Sequence, residues 1–343
     1  NMIFKALIFT IIHYLINKFF IKKKILLDKI ETSKHKREVS FGKNVPLTGG
    51  LVFLIFLFFT PVLENQILLI SLSLIYILGI LSDLNILSSP SKRIFFQSLI
   101  IIILVLVGDL TIKTISIDFF DKLLEINFFN ISFLLLCLLV LINGANFLDG
   151  LNTLVVIYFT ICLSAIYFAS YHYSLNLDQE LIKDIIIILI IISFFNFFGK
   201  SFLGDSGSYC IAFFVGVTCI NFIGENPQVV SPYFIASLLW YPAIENLFSI
   251  IRRTLMKKKL SSADNKHLHH LIYLSLKRKF YFYNLVFTNS FSAIIVNLYN
   301  FIVIFISISY ISNSKALITI IFLNLMVYIL AYNFFKKSFR FKK

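Results

Sequence analysis

Eleven apolar runs, each near the length of a bilayer-crossing helix, follow one another along this chain and leave little room for any other architecture. They lie near residues 2–20, 46–63, 66–82, 94–112, 131–147, 153–172, 184–199, 208–224, 233–251, 284–310 and 315–335. About 20 apolar residues, within a range near 17–25, carry a helix through the hydrocarbon core. The seventh run is short, and the fifth runs straight into a polar stretch. Only 14% of the residues are charged and 59% are hydrophobic, whereas soluble domains carry about 25% charged residues. The expectation is an all-α, polytopic membrane helical bundle of about 11 transmembrane helices. Residues 1–343 read as a single integral-membrane domain, without a soluble domain, linker or useful internal repeat.

A net charge of +14 would suit a nucleic-acid partner, but its distribution argues for a membrane instead. If the runs alternate direction, 25 of the 31 Lys and Arg fall in loops on one side, at 22–45, 83–93, 199–208, 252–283 and 336–343. The positive-inside rule makes that side cytoplasmic. The N-terminus is then outside and the C-terminus cytoplasmic, and no nucleic acid is expected. A large basic loop, not a small-residue cleavage site, follows the first run, so it reads as a retained span. The four cysteines (Cys137, Cys162, Cys210, Cys219) stand singly in apolar runs without ligand spacing and read as small core residues.

Four polar stretches share the cytoplasmic face in this topology: Leu81–Gln97, "NGANFLDGLNTL" (Asn143–Leu154), "FLGDSGS" (Phe202–Ser208) and "ADNKHLHH" (Ala263–His270). Polar groups at membrane depth are costly unless they are buried in protein or line a wet cavity. Asp83 is the only acid of the first stretch, and a solvated loop acid is its bland alternative. Helical spacing puts Asn143, Asn146 and Asp149 along one face. They suit either the capping of a helix broken at Gly150 or hard oxygen ligands for magnesium. Asp205 sits between two glycines, where the backbone can approach a phosphate at a helix start; a simple Asp or Ser cap would look the same. His267 and His270 lie one helical turn apart, yet no Cys or Glu adjoins them to complete a zinc shell. A basic loop with these histidines suits a diphosphate, or merely faces water.

Taken together, these stretches resemble the polyprenyl-phosphate N-acetylhexosamine-1-phosphate transferases. The resemblance runs in order through "NVPLTGG", the Asp83 stretch with Arg93 and Gln97, "NGANFLDGLN", "FLGDSGS" and "RRTLMKKKLSSADNKHLHH". It implies transfer of a sugar-1-phosphate from a UDP-N-acetylhexosamine to undecaprenyl phosphate, with release of UMP. It also implies magnesium, or manganese in its place, held by Asn146 and Asp205. Asp83 and Asp149 match the family's catalytic acids. Arg93, Asn152, His267, His269 and His270 match substrate-binding positions, Asn152 near the uracil and the histidines at the diphosphate. The expected setting is a bacterial inner (cytoplasmic) membrane with the site on the cytoplasmic face. The bilayer and the two substrates are the expected partners, and a homodimer is an admissible assembly.

Three departures from the family pattern stand out. Ser82-Asp83 replaces the usual Asp-Asp pair, whose first acid is a proposed base. Thr153 stands where glycine is common. "KHLHH" differs from the "PLHHH" of the peptidoglycan branch, which favours the branch priming surface glycans over the lipid I enzyme. A transporter for an anionic solute is the rival of another class; it would place ionisable groups nearer mid-membrane, beside broken helices in repeated halves.

Overall fold

The computed structural model describes residues 2–28, 45–60, 65–257, 266–279 and 284–340. The basic loop around Lys34–Lys43 and residues 258–265, which begin the histidine stretch, lie outside the described residues. In chain order the helices are α1 (Met2–Lys23), α2 (Gly49–Phe59), α3 (Gln66–Asp83), α4 (Pro90–Val107), α5 (Asp118–Leu124), α6 (Asn127–Leu148) and α7 (Leu154–Tyr173). There follow α8 (Gln179–Phe197), α9 (Gly204–Glu225), α10 (Pro232–Leu238), α11 (Trp240–Leu255), α12 (Leu268–Lys279), α13 (Leu285–Ile308) and α14 (Ser314–Arg340). The extended structure is slight: β1 (Leu27–Asp28) pairs antiparallel with β2 (Val45–Pro46), and Leu47 bridges Phe202 in parallel.

Among the described residues each apolar run carries a helix, because in lipid a helix satisfies its backbone within one segment. The count needs correcting at its edges. Among the described residues, 8 helices are long and apolar enough to cross, or up to 9 if the bent pair α10–α11 is one span. α2 has only 11 residues, about 16 Å of helix at 1.5 Å per residue. α8 has the length of a span but carries Glu180, Lys183 and Asp184 near its start. Asp184 is buried and takes a 2.7 Å ion pair from Lys5 of α1.

α9 is the centre of the bundle, with 83% of its span buried. Helices close on one another where a side chain is missing. A Cβ on Gly79 of α3 would strike the Ser206 backbone of α9, and one on Gly144 of α6 would strike the Pro242 carbonyl of α11. Small residues permit such close approach between membrane helices. The 71° bend between α10 and α11 has a local cause. Pro242 has no N–H to give the Leu238 carbonyl four residues earlier. That carbonyl instead accepts the Tyr158 hydroxyl of α7 at 2.6 Å. Cys162, Cys210 and Cys219 are core residues as expected; Cys137, on α6, is exposed, since it falls on the outward side of that helix.

Candidate active site

Three of the four polar stretches meet through direct hydrogen bonds at one end of the bundle. α3 ends at Asp83, whose carboxylate accepts the N–H of Asp205 at 2.8 Å and of Ser206 at 3.1 Å. This acid therefore caps α9 from another helix, meeting the positive end of its dipole. The fit requires Gly204, which turns the chain at φ +70; a Cβ there would lie 2.7 Å from an Asp83 oxygen. Sequence reasoning cast Asp83 as a catalytic acid. The geometry gives it a different first task, because both of its oxygens are engaged by backbone donors.

Asp205, presented on the first turn of α9, holds the centre of the cluster. Its Oδ2 accepts the Ser82 hydroxyl at 2.5 Å and Arg93 Nη1 at 2.9 Å. Arg93 also donates to Ser82 Oγ at 2.8 Å and reaches the Tyr209 hydroxyl at 3.4 Å. From the other side Asn146 Nδ2 donates to the same Tyr209 hydroxyl at 3.4 Å, and Ser208 Oγ approaches Asn146 Oδ1 at 3.5 Å. Asn143, one turn earlier on α6, donates to the fully buried Gln97 at 3.0 Å. Asp149 is the C-cap residue of α6, half-buried, with its N–H on the Ala145 carbonyl at 3.1 Å.

The histidines join the cluster through the same end of α6. The Phe147 ring lies 5.1 Å from that of His267. A Cβ on Gly150 would collide with the His270 imidazole, its Cε1 at 2.8 Å. The three imidazoles pack together, His269 and His270 at 4.4 Å between ring centres. Glu245 of α11, fully buried, holds them: its Oε2 lies 2.9 Å from His267 Nδ1, and its Oε1 accepts the Leu268 N–H at 3.1 Å and sits 3.5 Å from His269 Nδ1. A carboxylate only accepts, so Nδ1 of His267 carries the proton of that bond.

Glu245 and Tyr209 are members of the site that sequence reasoning missed. Glu245 had a signal, being the one acid in the apolar run 233–251, and ionisable residues at such depth mark sites. Tyr209 had none, since its hydroxyl matters only once α4 and α6 flank it.

Asn152 goes elsewhere. Its N–H donates to Asn289 Oδ1 at 2.7 Å and its amide reaches Ser290 Oγ at 3.4 Å, both on α13. The residue expected near the uracil is thus held in a buried brace, because the turn after Gly150 folds it against α13. Thr153 beside it adopts φ +67, the left-handed region. That explains the glycine of the family pattern: a β-branched residue at positive φ is a backbone outlier.

The expected magnesium ligands fit in kind. Asn146 Oδ1 and the Asp205 carboxylate are hard oxygens, as magnesium prefers, with phosphate oxygens and water left to complete an octahedron. Among the described residues no three of His, Cys, Asp and Glu form a metal-holding group.

Long apolar helices gathered around a half-buried polar cluster at one end define a multi-pass membrane protein with a polar site. Comparison with known proteins states its class. Residues 65–223 match the model of glycosyl transferase family 4. The chain is 31% identical over 253 residues to an undecaprenyl-phosphate alpha-N-acetylglucosaminyl 1-phosphate transferase of Thermotoga maritima, covering 74% of each chain. It is 27% identical over 202 residues to a probable undecaprenyl-phosphate N-acetylglucosaminyl 1-phosphate transferase of Bacillus subtilis, covering 57% of this chain and 55% of that one. A decaprenyl-phosphate N-acetylglucosaminephosphotransferase of Mycolicibacterium smegmatis is 32% identical over 82 residues, 21% of this chain and 20% of that one. The protein belongs to glycosyl transferase family 4 and is a membrane-embedded transferase.

Proposed function

We propose that this transferase moves an N-acetylhexosamine-1-phosphate from a UDP-sugar to undecaprenyl phosphate, priming a lipid-linked surface glycan at the cytoplasmic face of a bacterial inner membrane. The observation that carries the reading is the junction at the end of α6. There Asn146 meets the Asp205–Arg93–Tyr209 group, while Phe147 and Gly150 meet the Glu245-held histidines. Such a junction sets anionic and amide oxygens beside basic donors, as a diphosphate requires. The names of the Thermotoga and Bacillus relatives agree with the acceptor and the transferred group.

In this reading an oxygen of the lipid phosphate attacks the β-phosphorus, the bond from that phosphorus to the bridging oxygen breaks, and UMP leaves. Little proton abstraction is needed, because a phosphate monoester has a second pKa of about 6. Asp83 therefore serves mainly by fixing the start of α9. Asn146 and Asp205 would hold a magnesium ion, whose role when bound is to neutralise charge on the diphosphate. Arg93, released from Asp205 as substrate enters, supplies a second cation. His267, oriented by Glu245, and His269 and His270 packed against it donate to phosphate oxygens. Asp149, at the C-cap of the same helix, is the second acid of the site, and Asn152 braces the turn that follows it. Positioning and charge neutralisation carry most phosphoryl transfer. The Lys and Arg bias puts the N-terminus outside and the C-terminus cytoplasmic, an orientation that needs the short α2 and the charged α8 to act as spans beside the 8 or 9 long apolar ones.

The test is UMP release by purified protein from a panel of UDP-sugars with undecaprenyl phosphate, with and without chelator. Release confined to UDP-N-acetylhexosamines, abolished by chelator and restored by magnesium or manganese, supports the reading. Absence of release with every sugar refutes it.

A further inference from the structure

α1 is attached to the bundle in an unusual way. Only 11% of its span is buried, and Ile3, Leu7, Ile11 and Leu15 are exposed along it. Besides Lys5, which pairs with Asp184 near the start of the helix, two polar side chains of α1 are buried against the bundle, His13 and Asn17, one turn apart on the face turned inward. Both are buried, at 0% and 5% exposure. His13 Nε2 lies 3.1 Å from Ser201 Oγ, and its ring lies 4.2 Å from that of Phe195. Asn17 accepts the Thr48 hydroxyl, and that hydroxyl is also 2.8 Å from Ser201 Oγ. The four side chains form one buried chain of hydrogen bonds across three separate pieces of the sequence. None of them belongs to the site described above.

Ser201 and its neighbour Phe202 are fixed on every side. The Ser201 carbonyl accepts Asn196 Nδ2 at 2.8 Å. The Phe202 N–H donates to the Pro46 carbonyl at 2.9 Å, and its own carbonyl accepts the Gly49 N–H at 3.1 Å. Two residues later Gly204 turns the chain into α9 and presents Asp205. The position of Asp205 is thus set at two points: Asp83 holds its N–H, and the Ser201–Phe202 segment holds the chain leading to it.

We propose that His13, Asn17 and Thr48 are positioning residues: they pin the Ser201–Leu203 segment from α1 and so hold Asp205 where the transfer needs it. This rests on the proposed function only for its catalytic consequence; the pin itself is a property of the fold. Polar side chains on a lipid-facing helix are costly unless partnered, so their partners define where α1 docks. Because α1 buries little apolar surface, losing the pin loosens the segment without dismantling the bundle.

Amide hydrogen exchange on the full-length protein in detergent, together with UMP-release kinetics, tests this. Thr48→Val keeps the shape and removes the hydroxyl, His13→Leu removes the ring nitrogens, and Thr48→Ser restores the hydroxyl. Thr48→Val and His13→Leu should raise exchange across residues 199–206 by about three- to fifteen-fold, the range one interhelical hydrogen bond can supply. Exchange in residues 285–308 should stay unchanged, and kcat should fall by a similar factor with KM for the UDP-sugar held within about twofold. Thr48→Ser should behave as wild type. Unchanged exchange at 199–206 in both disrupting variants overturns the proposal, as does an equal rise in 285–308, which would make the pair a general stabiliser. If the wild-type protein releases no UMP, the proposed function fails, while the exchange measurement still decides whether the pin exists.

Discussion

Replacing Asp83 by asparagine separates two roles that one acid can hold in such a site. In the structure both Asp83 oxygens accept backbone N–H groups of α9, at 2.8 and 3.1 Å. An asparagine keeps one acceptor and turns its NH2 toward the second N–H, donor against donor. A hydrogen bond to a charged group is worth about 1.5–3 kcal/mol, and leaving a buried donor unpaired costs about 1–3 more. The half-exposed surroundings of the site lower the sum, so about 2–4 kcal/mol is expected, a factor of about 30 to 1000 in the local opening of the α9 start. Asp205 sits on that first turn, so activity should fall with it. Two measurements on purified protein distinguish the roles: hydrogen exchange of residues 203–207, and the pH dependence of UMP release between pH 6 and 9. A capping role predicts faster exchange and a lower melting temperature, with a pH profile of unchanged shape at reduced height. An Asp83→Asn protein with wild-type exchange and melting, but without one limb of its pH profile, would refute the capping account and make Asp83 a base.

Three further outcomes follow from the same geometry. Ser82→Asp would put a second carboxylate where a hydroxyl now meets Asp205 at 2.5 Å; the variant should melt at lower temperature in chelator and recover with millimolar magnesium, and equal melting in both would count against a cation at Asp205. Gly150→Ala drives a methyl into the His270 ring, an overpacking cost of about 1–3 kcal/mol; UMP release should fall at least tenfold while membrane insertion, read by the yield of monodisperse protein, stays normal. At Thr153, with φ +67, glycine relieves strain of about 1–3 kcal/mol but adds about 0.5–1 kcal/mol of backbone entropy and forgoes the hydroxyl bond to the Asn152 carbonyl. Thr153→Gly should therefore melt near wild type and Thr153→Val clearly below both, and the reverse order in thermal melts would remove the strain argument.

The sequence was most informative where the chemistry is local. Eleven apolar runs became helices because hydrocarbon leaves a spanning backbone no other partner. The ends of α3, α6 and α9 fell at Asp83, Leu148 and Gly204 because polar residues and glycines stop the runs there. The grouping of Asp83, Asn146 and Asp205 on one face was legible too, since alternation of spans and the Lys and Arg bias act segment by segment. The span count was less so: eleven residues of α2 and three charges in α8 look like ordinary runs until their neighbours are known.

What the tertiary structure alone decided is the direction of each polar side chain. Glu245 reaches the histidines only because Pro242 breaks the helix before it and frees Leu238 for Tyr158. Asp83 caps α9 across 122 residues of sequence, Asn152 turns away to Asn289 across 137, and His13 meets Ser201 across 188. The apolar pattern fixes which segments enter the membrane, because burial in lipid is a property of each segment. A hydrogen bond between distant helices depends on the rotation and separation of both, and those are set by where glycines and small residues let the helices close.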